Sequence, residues 1–426
     1  MTPTSTFDWH AGWRYGLMGL PLAFVALPLY VTLPNHYATT FGVPLATLGL
    51  VLLAARLFDA VIDPLLGRWS DHLFARSLRA VLAWAALACG VLGAGFVLLF
   101  SPQVRSPGAL VLWAAVCLVV TYTAYSALSI LHQAWGARLG GDELQRSRVV
   151  AWREGLGLLG VVLASIAPLA LGLPATAALF LIALTAGWGA WRVARQPPSG
   201  TAATAEAGFS AGQPASVWLP FTRPAFRALL AVFVVNGIAS AVPATLILFF
   251  VQDRLQAPQG MEAVFLGSYF VCAALALPLW LRVVPSLGLG RTWLVGMVLS
   301  MAVFVFATQL GAGDSLGFVL VCVLSGVALG TDLALPGALL AGTIAAAGDR
   351  GRAEGAYFGW WNFATKLNLA LAAGVALPLL GLLGYTPGTR DPAALQVLTI
   401  AYCLLPCALK ALAAVLLYTL TLRKTP

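Results

Sequence analysis

Apolar stretches long enough to cross a lipid bilayer recur twelve times along this 426-residue chain, and few folds can accommodate that pattern. A spanning helix needs about 20 predominantly apolar residues. The stretches run from Trp13 to Leu33, Leu45 to Leu66, Ala80 to Phe100, Gly108 to Leu131, Val149 to Leu171 and Ala175 to Val193. After a polar gap they continue from Phe226 to Val251, Ala263 to Leu281, Thr292 to Gly311, Leu316 to Ala345, Gly355 to Leu383 and Ala394 to Leu422. Hydrocarbon offers no partner to backbone N–H and C=O groups, so each span has to be a helix that satisfies its own backbone. With 60% hydrophobic and 9% charged residues and a mean hydropathy of +0.90, the chain has too little polar surface to cover a water-soluble globule. The predicted fold class is an all-α membrane protein.

Basic residues orient the spans. Seventeen of the 24 lysines and arginines lie near the N-terminus, in alternate loops or at the C-terminus, among them Arg14, Arg68, Arg138, Arg146, Arg148, Arg350, Arg352, Arg423 and Lys424. The opposite loops hold Arg105, Arg254 and Arg390. By the positive-inside rule both termini face the cytoplasm, as expected of a multi-pass protein of the cell (inner) membrane. The net charge of +9 then faces anionic headgroups, so the implied partner is the lipid bilayer and not nucleic acid. Asp8 and His10 precede a first span too long for a signal-peptide core, and no cleavable leader is expected. All six cysteines lie inside spans, without disulfide or zinc spacing, and are expected to pack as small apolar residues. No structural metal or cofactor is expected, and the chain is read as a monomer.

The gap from Gln196 to Phe221 contains Pro197-Pro198-Ser199-Gly200 and a run of Ala, Thr and Gly that cannot bury a core. The expected organisation is a six-helix bundle over residues 1–195, a cytoplasmic linker over 196–221 and a second six-helix bundle over 222–426. Weak internal similarity fits a duplication. Arg146-Ser147-Arg148 leads into Trp152-Arg153-Glu154-Gly155, and Arg350-Gly351-Arg352 leads into Glu354-Gly355, Trp360-Trp361 and Lys366.

Within the second span, Arg56, Asp59 and Asp63 share one helical face. An ionised carboxylate at a helix centre costs roughly 2.5 to 3.5 kcal/mol in hydrocarbon, so such a pair needs a basic partner, a proton or a cation. Counted from the cytoplasmic helix ends at about 1.5 Å per residue, Arg153, Asp59 and Lys366 lie roughly 8, 13 and 18 Å deep, close enough to be read as one layer. Two readings compete: the aspartates form a cation site that titrates as a coupled unit, or Arg56 and Lys366 neutralise them as packing salt bridges. The first is favoured, because ionisable residues within a membrane span are functional by default.

Tyr122, Ser126, Ser129 and Gln133 make a polar stripe on one face of the fourth span, either a solute pocket or helix-packing contacts. Trp152, Trp360 and Trp361 are placed to stack on a flat or apolar solute face or, the favoured reading, to anchor at the interface. His36 and His132 sit at span ends, where they are expected to titrate in water. Pro21, Pro28, Pro34, Pro336, Pro378 and Pro406 are kink candidates. Four scattered histidines offer no HExxH pair, and no GxxxxGK[ST] phosphate loop is present, so nothing points to an enzyme.

The spacing Arg56-x-x-Asp59-x-x-x-Asp63-Pro64, followed by Gly67-Arg68-Trp69-Ser70-Asp71, resembles the glycoside, pentoside and hexuronide:cation symporters, the melibiose-permease-like branch of the major facilitator superfamily. Further matches are Tyr15-Gly16, Trp152-Arg153-Glu154, Asp332-Leu333-Ala334-Leu335-Pro336 and the run from Tyr357 to Leu367. The resemblance implies twelve helices in two six-helix bundles that alternate access to a central site, with the second helix packed near the eleventh. Carried over, Asp59 and Asp63 bind the coupling ion, and Lys366 and Arg56 couple it. Arg153 lines the solute pocket or supports the ion site, Trp361 and Asn362 join the polar stripe at the solute, and Gly67, Asp71, Arg76 and Arg79 form a cytoplasmic gate. Ile62 stands where sodium-using members place an amide, which favours H⁺ as coupling ion with Na⁺ as the alternative. Leu22-Ala23 and Tyr122 replace the acids that melibiose-type members use for sugar, and Gly342 replaces another acid. The expected function is cation-coupled transport of a sugar- or glycoside-like solute. The alternative is proton-coupled transport or export of a lysolipid or other amphiphile.

Overall fold

The computed structural model describes residues 7–198, 216–258 and 260–424, and every regular element among them is helical. Most of the expected linker, residues 199–215, lies outside the described residues. The first crossing, α1, is Trp9–Phe41. It is followed by α2 (Leu45–Arg76), α3 (Leu78–Phe100) and α4 (Pro107–Arg138). A continuous run of helix, Glu143–Arg192, breaks at Gly172 (φ 78°, ψ 167°) into α5 (143–171) and α6 (173–192). After the gap comes α7 (Pro224–Arg254). The run Met261–Ala307 breaks at Gly288 (φ 75°, ψ 165°) into α8 (261–287) and α9 (289–307). Positive φ is open to glycine without a Cβ clash, so these two residues divide helices that otherwise continue. The chain ends with α10 (Ser315–Ala346), α11 (Glu354–Leu382) and α12 (Pro392–Leu420). The twelve expected spans are thus all present among the described residues.

Local sequence explains the starts and the irregularities. Asp8, Ser77, Asp142 and Asp391 each accept a hydrogen bond from a backbone N–H of the first turn that follows them, satisfying a donor that has no partner inside the helix. A proline ring clashes with the carbonyl four residues earlier. Pro21 and Pro28 therefore interrupt α1 near Leu17 and Phe24, and a wide π turn occupies Pro28–Thr32. Pro406 follows a similar turn, Ile400–Leu404, in α12. Pro336 and Pro378 are carried inside continuous helices.

Contacts divide the chain into two compact units, Met1–Thr222 with Ala341–Phe363, and Arg223–Leu340 with Ala364–Pro426. The first unit is centred on Phe180, whose ring lies 5.7 Å from that of Phe24 and 4.6 Å from that of Phe96, and on the buried indoles of Trp135 and Trp191. The second is centred on Phe250, stacked on Tyr402 at 4.2 Å, with Phe265 and Phe318 beside them. Outward faces are apolar, as a lipid-facing surface requires. On α2, Leu57, Val61 and Leu65 are 52%, 66% and 60% exposed, whereas Asp59 and Asp63 are 3% and 0% exposed. That helix turns its hydrocarbon outward and its acids inward, the reverse of a helix folded in water.

Candidate ion and solute site

The two acids of α2 lie one turn apart in the first unit, buried among its helices. Ser126 of α4 donates its hydroxyl to Asp59 Oδ1 at 2.6 Å, so one member of the polar stripe bonds directly to the expected ion site. The guanidinium of Arg56 lies over the ring of Tyr30, 3.4 Å from its centroid, and that ring is 6.1 Å from Tyr122. A cation–π contact supports the arginine where a carboxylate would otherwise be its natural partner.

Below the acids, α2 crosses α11 closely. A Cβ on Gly67 would stand 2.2 Å from the carbonyl oxygen of Gly355, and one on Gly359 would stand 2.6 Å from that of Asp63. Only glycines permit this approach, which brings α2 against α11 as expected. Near its C-terminal end α2 presents Asp71, whose Oδ1 and Oδ2 accept hydrogen bonds from the backbone N–H groups of Gly355 (2.7 Å) and Ala356 (2.8 Å). These are first-turn donors of α11 with no partner inside that helix, and the positive end of its dipole favours a carboxylate there. Arg138, at the end of α4, places Nη2 3.0 Å from Asp71 Oδ1 and 2.9 Å from Glu354 Oε2, and gives Nη1 to the carbonyl of Gly351 at 2.9 Å. Glu354 also accepts from the N–H of Gly351. Asp71, Arg138 and Glu354 thus form one buried charged cluster at the place where the gate is expected. Arg76 and Arg79, expected in it, are exposed at the helix end and beyond. Arg146 packs 3.2 Å from where a Cβ on Gly342 would stand, so an acid at that position would meet a basic side chain.

Gln133 and Asn362 exchange side-chain hydrogen bonds at 3.3 and 3.1 Å, joining the polar stripe to α11. Tyr122 is buried and Ser129 half-buried on the same face of α4, and Trp361 is buried in α11. Arg153, a fifth of its side chain exposed, is paired with the neighbouring Glu154, Nε lying 3.0 Å from Oε1. Lys366 lies on α11 past residue 363 and belongs to the second unit.

Several side chains depart from expectation. His132 does not sit in water: it is fully buried, stacked on Tyr15 at 4.2 Å, with Nε2 2.8 Å from the Tyr15 carbonyl oxygen while the Tyr15 hydroxyl donates to the His132 carbonyl. The α4 helix continues to Arg138, which places its histidine well inside. His36 is half-buried, with Nε2 3.2 Å from the carbonyl oxygen of Phe100. Trp360 donates its indole N–H to the carbonyl of Val217 and packs on Trp218 and Phe221, so it secures the chain where it enters α7. Trp152 packs against Trp9 and lies over Gly12. Sequence reasoning missed Arg138 as the cation between Asp71 and Glu354, although its place one loop before Arg146 was visible. It also missed Lys410, a lysine inside the last span.

Comparison with known proteins places this geometry in context. The family described as MFS/sugar transport protein matches residues 14–424. Among curated relatives, the inner membrane symporter YicJ of Escherichia coli (strain K12) is 28% identical over 132 residues, 30% of this chain and 28% of that protein. The putative glycoside/cation symporter YagG of the same organism is 26% identical over 148 residues, 34% and 32% of the two chains. The isoprimeverose transporter of Lactiplantibacillus pentosus is 28% identical over 161 residues, 37% and 33%. The aligned stretch therefore spans about a third of each relative's length. Among solved structures, a bacterial homologue of the iron transporter ferroportin in an outward-facing state superposes with a TM-score of 0.72, at 16% identity, over 97% of this chain and 100% of that one. The transporter FucP in its outward conformation gives 0.61, at 13% identity, over 95% and 97%. The shared fold is that of the major facilitator superfamily.

Proposed function

Because the chain belongs to the MFS/sugar transport protein family, we propose that it is a cation-coupled secondary transporter that moves a sugar- or glycoside-like solute across the membrane by alternating access. It is a multi-pass membrane protein, and the reading places it in the inner membrane as a monomer with both termini cytoplasmic. The observation that carries the coupling is the Asp59 and Asp63 pair, one helical turn apart and 3% and 0% exposed on the inward face of a spanning helix. Two such carboxylates repel each other when both are charged, and binding of H⁺ relieves that repulsion. Ile62 supplies no oxygen, which favours H⁺ over Na⁺. Relatives described as symporters, one of glycosides, support the same reading. Lys366 and Arg56 couple the ion to the solute, and Arg153, Tyr122, Ser129, Gln133, Trp361 and Asn362 contact the solute. The latch of Asp71, Arg138 and Glu354 closes the cytoplasmic side.

The test is uptake of isoprimeverose and other labelled glycosides into proteoliposomes under an imposed pH gradient. Asp59→Asn and Asp63→Asn are expected to lower gradient-driven accumulation by about tenfold or more, the scale of losing one charge-assisted interaction, with the amount of inserted protein unchanged. Accumulation at the wild-type level in both variants refutes the ion site.

A further inference from the structure

Outside that site, a buried charged cluster of the second unit takes no part in the coupling described above. Asp332 lies near the middle of α10, about 25 Å and 21 Å of helix from its two ends at ~1.5 Å per residue. Three helices send donors to its carboxylate. Lys410 of α12 places Nζ 2.8 Å from Oδ2, while Asn236 of α7 and Trp293 of α9 donate to Oδ1 at 3.0 and 2.7 Å. The ammonium also donates to Asn236 Oδ1 at 2.9 Å and to Ser240 Oγ at 3.4 Å. Lys410, Asn236 and Trp293 are buried, but the side chain of Asp332 keeps 15% of its surface exposed.

Three features select what this carboxylate can bind. A carboxylate has about four acceptor positions, and the three donors leave one of them, on Oδ2. Its residual exposure at mid-membrane depth has to be to a water-filled space, because a charged group turned to hydrocarbon is too costly. Its charge is already neutralised by Lys410, so a cation would meet an ammonium, and an anion would find all three ammonium protons engaged. What remains is an uncharged O–H donor.

We propose that Asp332 is a solute-contacting residue that accepts a hydrogen bond from a hydroxyl of an uncharged polyhydroxylated solute, and that Lys410, Asn236 and Trp293 are positioning residues that hold its carboxylate in place. This rests on the sugar-transport reading and narrows it to neutral glycosides, excluding sugar acids and phosphate-bearing amphiphiles. Such a solute would gain one charge-assisted hydrogen bond in the second unit, independent of the ion held in the first.

The experiment is equilibrium binding to the purified full-length protein, without any ion gradient, by calorimetry and by the shift in thermal midpoint. Isoprimeverose and melibiose serve as neutral probes, glucuronic acid as the anionic one and lysophosphatidylglycerol as the amphiphile. A neutral disaccharide is expected to bind and stabilise, and the other two are not. The double substitution Asp332→Asn with Lys410→Gln keeps the cluster uncharged and hydrogen-bonded, and is expected to raise the Kd for the neutral sugar by about tenfold or more. Asp332→Glu retains the ion pair while shifting the acceptor, so it reads the same contact if the double variant does not fold. A purely structural cluster would move the midpoint of the empty protein and leave the Kd alone. Neutral-sugar Kd values within about twofold of wild type, protection by glucuronic acid or the lysolipid instead, or no neutral sugar bound at all overturns the proposal. Neutral-sugar binding that depends on Asp332 without proton-driven uptake would remove the coupling and leave this assignment standing. Proton-driven sugar uptake indifferent to these substitutions would do the reverse.

Discussion

Ser126 illustrates how a single hydroxyl bears on the proposed ion site. Its hydrogen bond to Asp59 is made to the carboxylate from a neighbouring helix, and hydrogen bonds to charged groups contribute about 1.5 to 3 kcal/mol. Removing it in Ser126→Ala disfavours the anion relative to the protonated acid. Proton-driven uptake is therefore expected to persist to higher pH than in the wild type, and a full pH profile of initial rates in proteoliposomes checks this. An unchanged profile would reduce Ser126 to a packing contact. His132 shows the opposite case, a polar residue whose surroundings decide its part. Its reciprocal hydrogen bonds with Tyr15 join α1 to α4, a role that its position near a span end did not reveal.

At the scale of the element, the crossing of α2 and α11 carries the greatest consequence. Glycines at 67, 355 and 359 let two backbones meet, and Asp71 then reaches the open N–H groups at the start of α11. Because Arg138 lies between Asp71 and Glu354, Arg138→Met would leave two buried acids facing each other without a counter-charge. Breaking one partner out of a buried ion pair costs about 3 to 5 kcal/mol, so the start of α11 is expected to loosen. Amide hydrogen exchange at Gly355 and Ala356 should accelerate by about tenfold or more, the kinetic equivalent of losing ~1.4 kcal/mol of local protection. Exchange as slow as in the wild type would mean that the dipole contact alone holds Asp71 against the start of α11. The same bonds explain why Ala341–Phe363 groups with the first unit although Lys366, a few residues on, groups with the second.

For the whole molecule, the issue is whether ion and solute are transported together. Asp59 and Asp63 belong to one unit and Lys366 to the other, and α11 runs through both. Lys366→Ala is expected to retain exchange of labelled against unlabelled solute while losing accumulation against a gradient. Counterflow and driven uptake measured on the same vesicles separate these, and intact accumulation would remove Lys366 from coupling. Twelve spans could be read directly from sequence because a bilayer imposes one length and one polarity on every segment that crosses it. The acids of α2 were legible for the same reason, since charge in a span is rare and costly. The partners of Asp71, Glu354 and Asp332 were not. Arg138 lies 67 residues from Asp71 and 216 from Glu354, and Lys410 is 174 from Asn236 and 78 from Asp332. Solvation cost depends on the local segment and is written along the chain, whereas the pairing that offsets it depends on which helix faces come together, and packing alone decides that.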